Sequence, residues 1–303
     1  AAQLRQRLHE IEFLVGKGFA DEASEVLERA VSLARMYSYH DYTAMLLDWK
    51  RRIGLEQGVT RQQLLAVLDE LAVEKGQATL LQEIKEVHTR LRAQLLLSVG
   101  LRDPALNATV ANISAAPYLL NAVDSTQLHH RFYAMDIVGM CMLLQRQGPA
   151  AYAHYKALID LWRLHPQWYR ELPDLYALVF RHFQTSVMFG TLSHDELSRY
   201  LDQLPDPSAF PPLVQLEFER IRFDHQLTMG LNRGDKNLLT EQTPLILQWI
   251  DRNSHRLAAK PQLKFLHNLT VAWLLLGEFS TAYRILQRIL HHPSRGVRND
   301  IRS

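Results

Sequence analysis

Cysteine is almost absent: a single residue, Cys141, occurs in 303. That excludes an intramolecular disulfide framework and a thiolate zinc site, and it makes a reducing, cytoplasmic setting the expectation. Glycine and proline are scarce as well, at 13 and 12 residues, so long helices are favoured over many short strands joined by tight turns. Net charge is close to zero. A formal +2 is too small to argue for nucleic acid as a partner. No apolar run approaches the ~20 residues that cross a bilayer and no secretory leader opens the chain, so no membrane association is expected. The opening AAQLRQRLHE reads as the inside of a helix, which leaves a removed segment ahead of it open.

What the chain does have is core-forming material: 47% apolar against 22% charged residues, well away from the disordered regime. Near the start, Leu4, Leu8, Ile11, Leu14 and Val15 recur at helical spacing, and Ala23, Val26, Leu27, Ala30 and Leu33 do so again after Gly16 and Gly18. This pattern is two amphipathic helices with a short corner between them. A third helix follows toward Gly54 and Gly58. Thr60 is a plausible N-cap for the block beyond it, in which Gly76 permits either one long bent helix or an antiparallel pair. From Asp124 a long helix leads to Gly148 and Pro149, then a second helix ended by Pro166. Proline costs no hydrogen bond in a first helical turn, so Pro149 reads as a start. Ser193 and Glu196 have capping-box spacing. No strand is evident.

Three corners share one offset: Gly18 with Ala23, Gly148 with Ala153, and Gly277 with Ala282. Glycine lets the first helix end at positive φ, and alanine five residues on lets the second pack closely. On these residues the chain resembles the tetratricopeptide repeat family. The last copy carries the resemblance best, with Trp273, Gly277, Phe279, Ala282, Leu286, Ile289 and Pro293 at or within a residue of the family's places, although Thr270 departs from it. The first copy lacks both aromatics, with Leu14 and Ala20 in their places. The middle copy keeps Ala157 and Pro166 but puts Asp160 where an apolar residue belongs.

The resemblance implies an all-α, right-handed α-solenoid of antiparallel helical hairpins without β-sheet. The expectation is a single elongated domain over 1–303, a fragment of a longer chain. Its subregions are an N-terminal hairpin plus helix at 1–58, a long helical segment at 59–100, degenerate repeats at 101–260 and a C-terminal hairpin at 261–293. In that family the first helix of each hairpin lines a groove that takes peptides. Carried over, this implies Lys264, His267, Val271 and Leu274 in the last copy and Met135, Val138, Met142 and Gln145 in the middle one. The family's lysine and asparagine clamp for chaperone tails is not found, which favours an apolar helical or extended peptide.

Signals for chemistry are weak. Among fourteen histidines, His129–His130 and His291–His292 are adjacent pairs that diverge by about 100° on a helix; His40 beside Asp41 and His225 beside Asp224 are likewise sequence neighbours rather than facing groups. Cys141 lies among apolar residues, where a small buried hydrophobe is the usual role. Phosphate loops and the hydrolase elbow have no matching motif. Glu22, Glu25 and Glu28 read as the wet side of a helix. Trp49, Lys50, Arg51 and Arg52 mix aromatic and basic groups but spread around a helix; Tyr152, Tyr155 and Trp162 fit inter-helix packing. Arg284, Arg288, Arg295, Arg298 and Arg302 face only Asp300, as an anion patch or a solvated helix end.

No catalytic residue, cofactor or metal is therefore expected. The function expected is a non-enzymatic scaffold binding a protein or peptide on a concave face; the alternative is a peptide-sensing regulatory domain whose output domain lies outside this chain. The closing pair carries more apolar surface than one upstream neighbour can bury. A further C-terminal helix, or self-association through that end, is the expectation.

Overall fold

A computed structural model describes residues 2–97, 104–189 and 194–293. Those residues form fifteen α-helices, one 3-10 turn and no strand. In chain order the helices are α1 (Ala2–Gly16), α2 (Ala20–Met36), α3 (His40–Gln57), α4 (Arg61–Leu97), α5 (Pro104–Ser114), α6 (Pro117–Val123), α7 (Leu128–Leu144), α8 (Gly148–Leu164), α9 (Trp168–Glu171), α10 (Pro173–Phe189), α11 (His194–Asp202), α12 (Pro212–Arg233), α13 (Lys236–Asn253), α14 (Ala259–Leu275) and α15 (Phe279–Leu290). Two compact units divide the chain; the division falls within α7, between Cys141 and Met142, and the end of α4 from Leu96 groups with the second unit.

In the first unit, the amphipathic stripes of α1 and α2 do what their spacing predicts. Leu4 and Ile11 meet Ala23, Leu27, Ala30 and Ala34, and the cluster is closed by Leu46 and Ile53 of α3. Gly76 does not break the next segment, because α4 is one helix of 37 residues. Its start is fixed by a reciprocal cap in which Thr60 Oγ1 accepts from the Gln63 amide at 3.3 Å while the Thr60 amide donates to Gln63 Oε1 at 2.9 Å. Two orphan amides are thereby satisfied. The capping box expected at Ser193 lies outside the described residues.

The second unit is built around aromatic rings at inter-helix crossings. Trp162 of α8 lies 5.1 Å from Tyr176 of α10, which lies 5.7 Å from Phe218 of α12. Tyr152 stacks on Phe183, and Tyr155 packs against His182. The tyrosines and tryptophan singled out in the sequence are packing residues. Toward the chain's end, Leu227, Leu239, Ile246 and Ile250 join Leu263, Leu266, Leu269, Ile285 and Ile289 in one cluster spanning α12 to α15. Within this unit α8 packs on α10, α10 on α12, and α12 on α14, while α13 and α15 each pack beside α14.

A single corner joins the hairpins, and it recurs more often than glycine does. Gly18, Ser38, Arg146, Gly234 and Gly277 all have φ between +50 and +82. At each one the following amide reaches back five residues to a helix carbonyl: Phe19 to Leu14, Tyr39 to Ala34, Gln147 to Met142, Asp235 to Gly230 and Glu278 to Trp273, at 2.9–3.0 Å. This bond, with the shorter one from the positive-φ residue itself, is the Schellman termination. The same residue then caps the next helix, whose fourth position is buried: Ala23, Thr43, Ala151, Leu239 and Ala282.

The first and last corners therefore stand where Gly18–Ala23 and Gly277–Ala282 put them. The middle corner lies two residues ahead of the Gly148–Ala153 spacing. Arg146 takes the positive φ, Gly148 is already the first residue of α8, Ala151 is the buried alanine and Ala153 is exposed. A glycine search cannot find a corner held by arginine or serine. Along the chain, 88 residues separate Arg146 from Gly234, and 43 separate Gly234 from Gly277.

The two alanines near the middle corner should separate cleanly in denaturant titrations. Ala151→Leu overpacks a closed helix crossing and should cost about 1–3 kcal/mol. Ala153→Leu should stay within about 0.5 kcal/mol, as exposed substitutions do. Equal effects would place the corner elsewhere.

Candidate functional site

The last hairpin carries two apolar rows on one helix. Helix α15 turns Ala282, Ile285 and Ile289 into the core. A second apolar row, Phe279, Tyr283, Leu286 and Leu290, stands beside it at spacings of four, three and four residues and is exposed, Phe279 by 68% and Tyr283 by 62%. Such spacing keeps a row on one helical face. On α14, the groove residues implied by the family resemblance share the face opposite the core. His267, Val271 and Leu274 are exposed, and Leu275 beside them is 47% exposed.

Lys264 begins that α14 face and anchors it. Its Nζ donates to Asp224 Oδ2 of α12 at 2.7 Å, and Gln184 Nε2 of α10 donates to the same oxygen at 3.0 Å. Asp224 is only 2% exposed, so these donors stand in for the water its carboxylate has lost. One turn earlier Arg220 forms a fork on Glu217, with Nε at 2.8 Å and Nη2 at 2.7 Å. Burial opposes the charge on Arg220, yet the Glu217 hydrogen bonds and charge raise its pKa overall.

Beside Asp224, His225 is buried and its Nε2 lies 2.9 Å from Ser198 Oγ of α11. Burial, followed by the neighbouring His194, pulls its pKa down to about 4, so the ring is neutral at pH 7. A serine and a neutral histidine in contact invite a nucleophile reading. Ser198, however, also lies 3.2 Å from the His194 carbonyl, and mid-helix hydroxyls commonly make that local bond. The pair is a packing contact between α11 and α12.

The implied residues of the middle copy sit differently. Met135 is buried, Val138 and Met142 are half-buried, and Gln145 is exposed just beyond α7, where its Oε1 accepts from Gln147 Nε2 at 3.0 Å. Of this set only Gln145 is exposed to solvent.

The basic and aromatic residues after Asp48 are engaged within the chain. Lys50 pairs with Glu28 at 2.6 Å, and Arg51 and Arg52 both pair with Asp48. Arg52 also lies over the Trp49 ring. Arg288 pairs with Asp251, whereas Arg295, Arg298 and Arg302 lie outside the described residues. Burial pushes the Cys141 thiol up to about 11, which leaves it protonated and inert. Among the described residues no group of three or more His, Cys, Asp or Glu side chains is placed to hold a metal ion, and no helix is long and apolar enough to cross a membrane.

The sequence pattern missed two features of this region. Asp224 and Lys264 are 40 residues apart and give no sign of pairing. The exposed row on α15 is indistinguishable in sequence from its buried row, since both are apolar at helical spacing. No protein-family model, curated protein or solved structure matches the chain.

Two outcomes test the electrostatics. Lys264→Ala leaves a buried carboxylate short of a donor and should cost about 1–3 kcal/mol at pH 7. For His225, the folded pKa of about 4 lies below the unfolded value of about 6.5. Its contribution is therefore complete above about pH 6.5 and is lost as pH falls toward 4, by roughly 3 kcal/mol in full. A His225→Gln variant should show a flatter stability profile between pH 6.5 and 4 than the parent; identical slopes would contradict the assignment.

Proposed function

We propose that this protein is a non-enzymatic helical-repeat scaffold whose terminal hairpin docks an amphipathic segment of another protein. The observation that carries the reading is the exposed apolar row of Phe279, Tyr283 and Leu286 on α15, next to a buried row that already satisfies its packing against α14. Contiguous apolar exposure of this kind is uncommon on a surface without a partner. An i, i+4, i+7 row is the geometry on which a helix lies lengthwise.

Charge narrows the partner. Between Ala259 and Leu290 the chain has Lys260, Lys264, Arg284 and Arg288 against Glu278 alone, with Lys264 pairing with Asp224 and Arg288 with Asp251. An apolar face with acidic flanks is complementary to this hairpin, and such complementarity governs encounter rate and partner choice. A basic helix is disfavoured by like charge.

The wider architecture belongs to the same proposal. Hairpins joined by one corner, two such corners standing 43 residues apart at Gly234 and Gly277, with α10, α12 and α14 packed in succession, support an α-solenoid. That spacing is longer than the 34 residues of a tetratricopeptide unit and falls within the 40–47 of other two-helix repeats. The cytoplasm, where a lone buried thiol stays reduced, is the setting that fits.

Peptide-display selection on the intact protein should enrich helices with apolar anchors at i, i+4 and i+7 flanked by Asp or Glu. The double variant Phe279→Ser/Tyr283→Ser should weaken the selected peptide by tenfold or more and leave the melting temperature within a few degrees. Enrichment of basic or extended peptides, or equal binding by the variant, would overturn the proposal.

A further inference from the structure

In the first unit, three helices bring together histidines that are far apart in sequence. His40 opens α3, His88 lies on α4, and His129 and His130 lie on α7; all four are buried. His88 Nε2 contacts Asp136 at 2.8 Å, and its ring stands edge-on to Tyr133 at 5.1 Å. The rings of His40 and His130 stand 5.2 Å apart.

The hydrogen bonds of that last pair fix both tautomers. His40 Nδ1 is 2.7 Å from Glu74 Oε2, and a carboxylate accepts, so Nδ1 carries the proton. His130 Nε2 is 3.1 Å from the Gln77 carbonyl, which can only accept, so Nε2 carries the proton there. With those protons placed, one nitrogen of each ring is left to offer a lone pair to a metal ion, Nε2 of His40 and Nδ1 of His130. Both are buried and without a hydrogen-bond partner. Because Glu74 and Gln77 occupy one turn of α4, both lone pairs are directed away from that turn.

We propose that His40 and His130 form a binding site for a divalent transition-metal ion of the zinc class. An imidazole that ligates a metal almost always donates its other N–H to a carboxylate or a backbone carbonyl. His40 has the first partner and His130 the second. With a metal–nitrogen distance of about 2.1 Å, each ring centroid lies about 3.2 Å from the ion, and a tetrahedral angle sets the centroids about 5 Å apart. The observed separation is 5.2 Å.

The protein supplies two ligands, and water completes the coordination. The Glu74 carboxylate offsets part of the ion's charge, whereas the half-buried Lys85 ammonium on α4 opposes it. Imidazole nitrogen favours zinc, copper and nickel over magnesium and calcium. The sequence conceals the site because its ligands are 90 residues apart and the adjacent pair His129–His130 diverts attention to a geometry that cannot chelate.

The test uses the whole chain, freed of metal with a chelator, and zinc, magnesium or calcium chloride alone as probes. At free zinc of about 100 times the dissociation constant, linkage should raise the melting temperature by roughly 5–10 °C at pH 7.5. Magnesium and calcium should have no effect. Calorimetric titration should give one site, abolished in His130→Gln, unchanged in the surface control His291→Gln and weakened about 10–100-fold in Glu74→Gln, which leaves both ligands in place. Cobalt on the unaltered protein should give the visible absorption of a tetrahedral ion, a readout that does not depend on any variant folding. Absence of that absorption and of a zinc-induced shift, or a zinc response that His130→Gln retains, would overturn the proposal and leave the two lone pairs to a buried water.

Discussion

The structure depends on one backbone hydrogen bond repeated, among the described residues, at five hairpin corners and again at Gly58 ahead of α4: an amide just past a helix end reaching back to the carbonyl five residues earlier. An α-helix leaves its final carbonyls unpaired, and burying them unpaired would cost more than most side-chain contacts return. The positive-φ residue solves that problem locally and, by doing so, sets the direction in which the next helix starts. The buried residue at the fourth position of the next helix then lies at the crossing. Small residues recur there, although Leu239 shows that the corner tolerates a larger side chain where the partner helix has Gly230 opposite.

This constraint explains why the helical class was legible and the register only partly so. Apolar spacing, scarce glycine and absent strand signals identify helices almost everywhere because each of these is a local property. Gly18 and Gly277 were legible as corners because glycine has no Cβ to oppose positive φ. Ser38 and Arg146 were not, since in those cases tertiary packing imposes a conformation that the residue itself disfavours, at a cost of order 1–2 kcal/mol. The pull of Gly148 and Pro149 placed the middle corner two residues late for the same reason: both are good helix starters, and they mark where α8 begins rather than where α7 ends.

The candidate surfaces were less legible. Which apolar row of α15 faces the core depends on α14, and the pairing of Asp224 with Lys264 depends on how α12 and α14 cross. Both are long-range facts. Residues implied by family resemblance shared a helix face on α14, because helical periodicity guarantees it; on α7 the same periodicity placed Met135 in the core. Sequence sets which residues lie together on a helix, and only packing decides whether that face meets solvent.

Amide hydrogen exchange read residue by residue is the most direct measurement of the corner. The amides of Phe19, Tyr39, Gln147, Asp235 and Glu278 lie beyond the helix ends, where a frayed terminus would exchange at nearly the rate of an unfolded chain. The five-residue reach-back bond predicts that all five are protected to a degree comparable with the interior of the helices they close. Fast exchange at these positions, above all at Tyr39 and Gln147 where no glycine assists, would contradict the account.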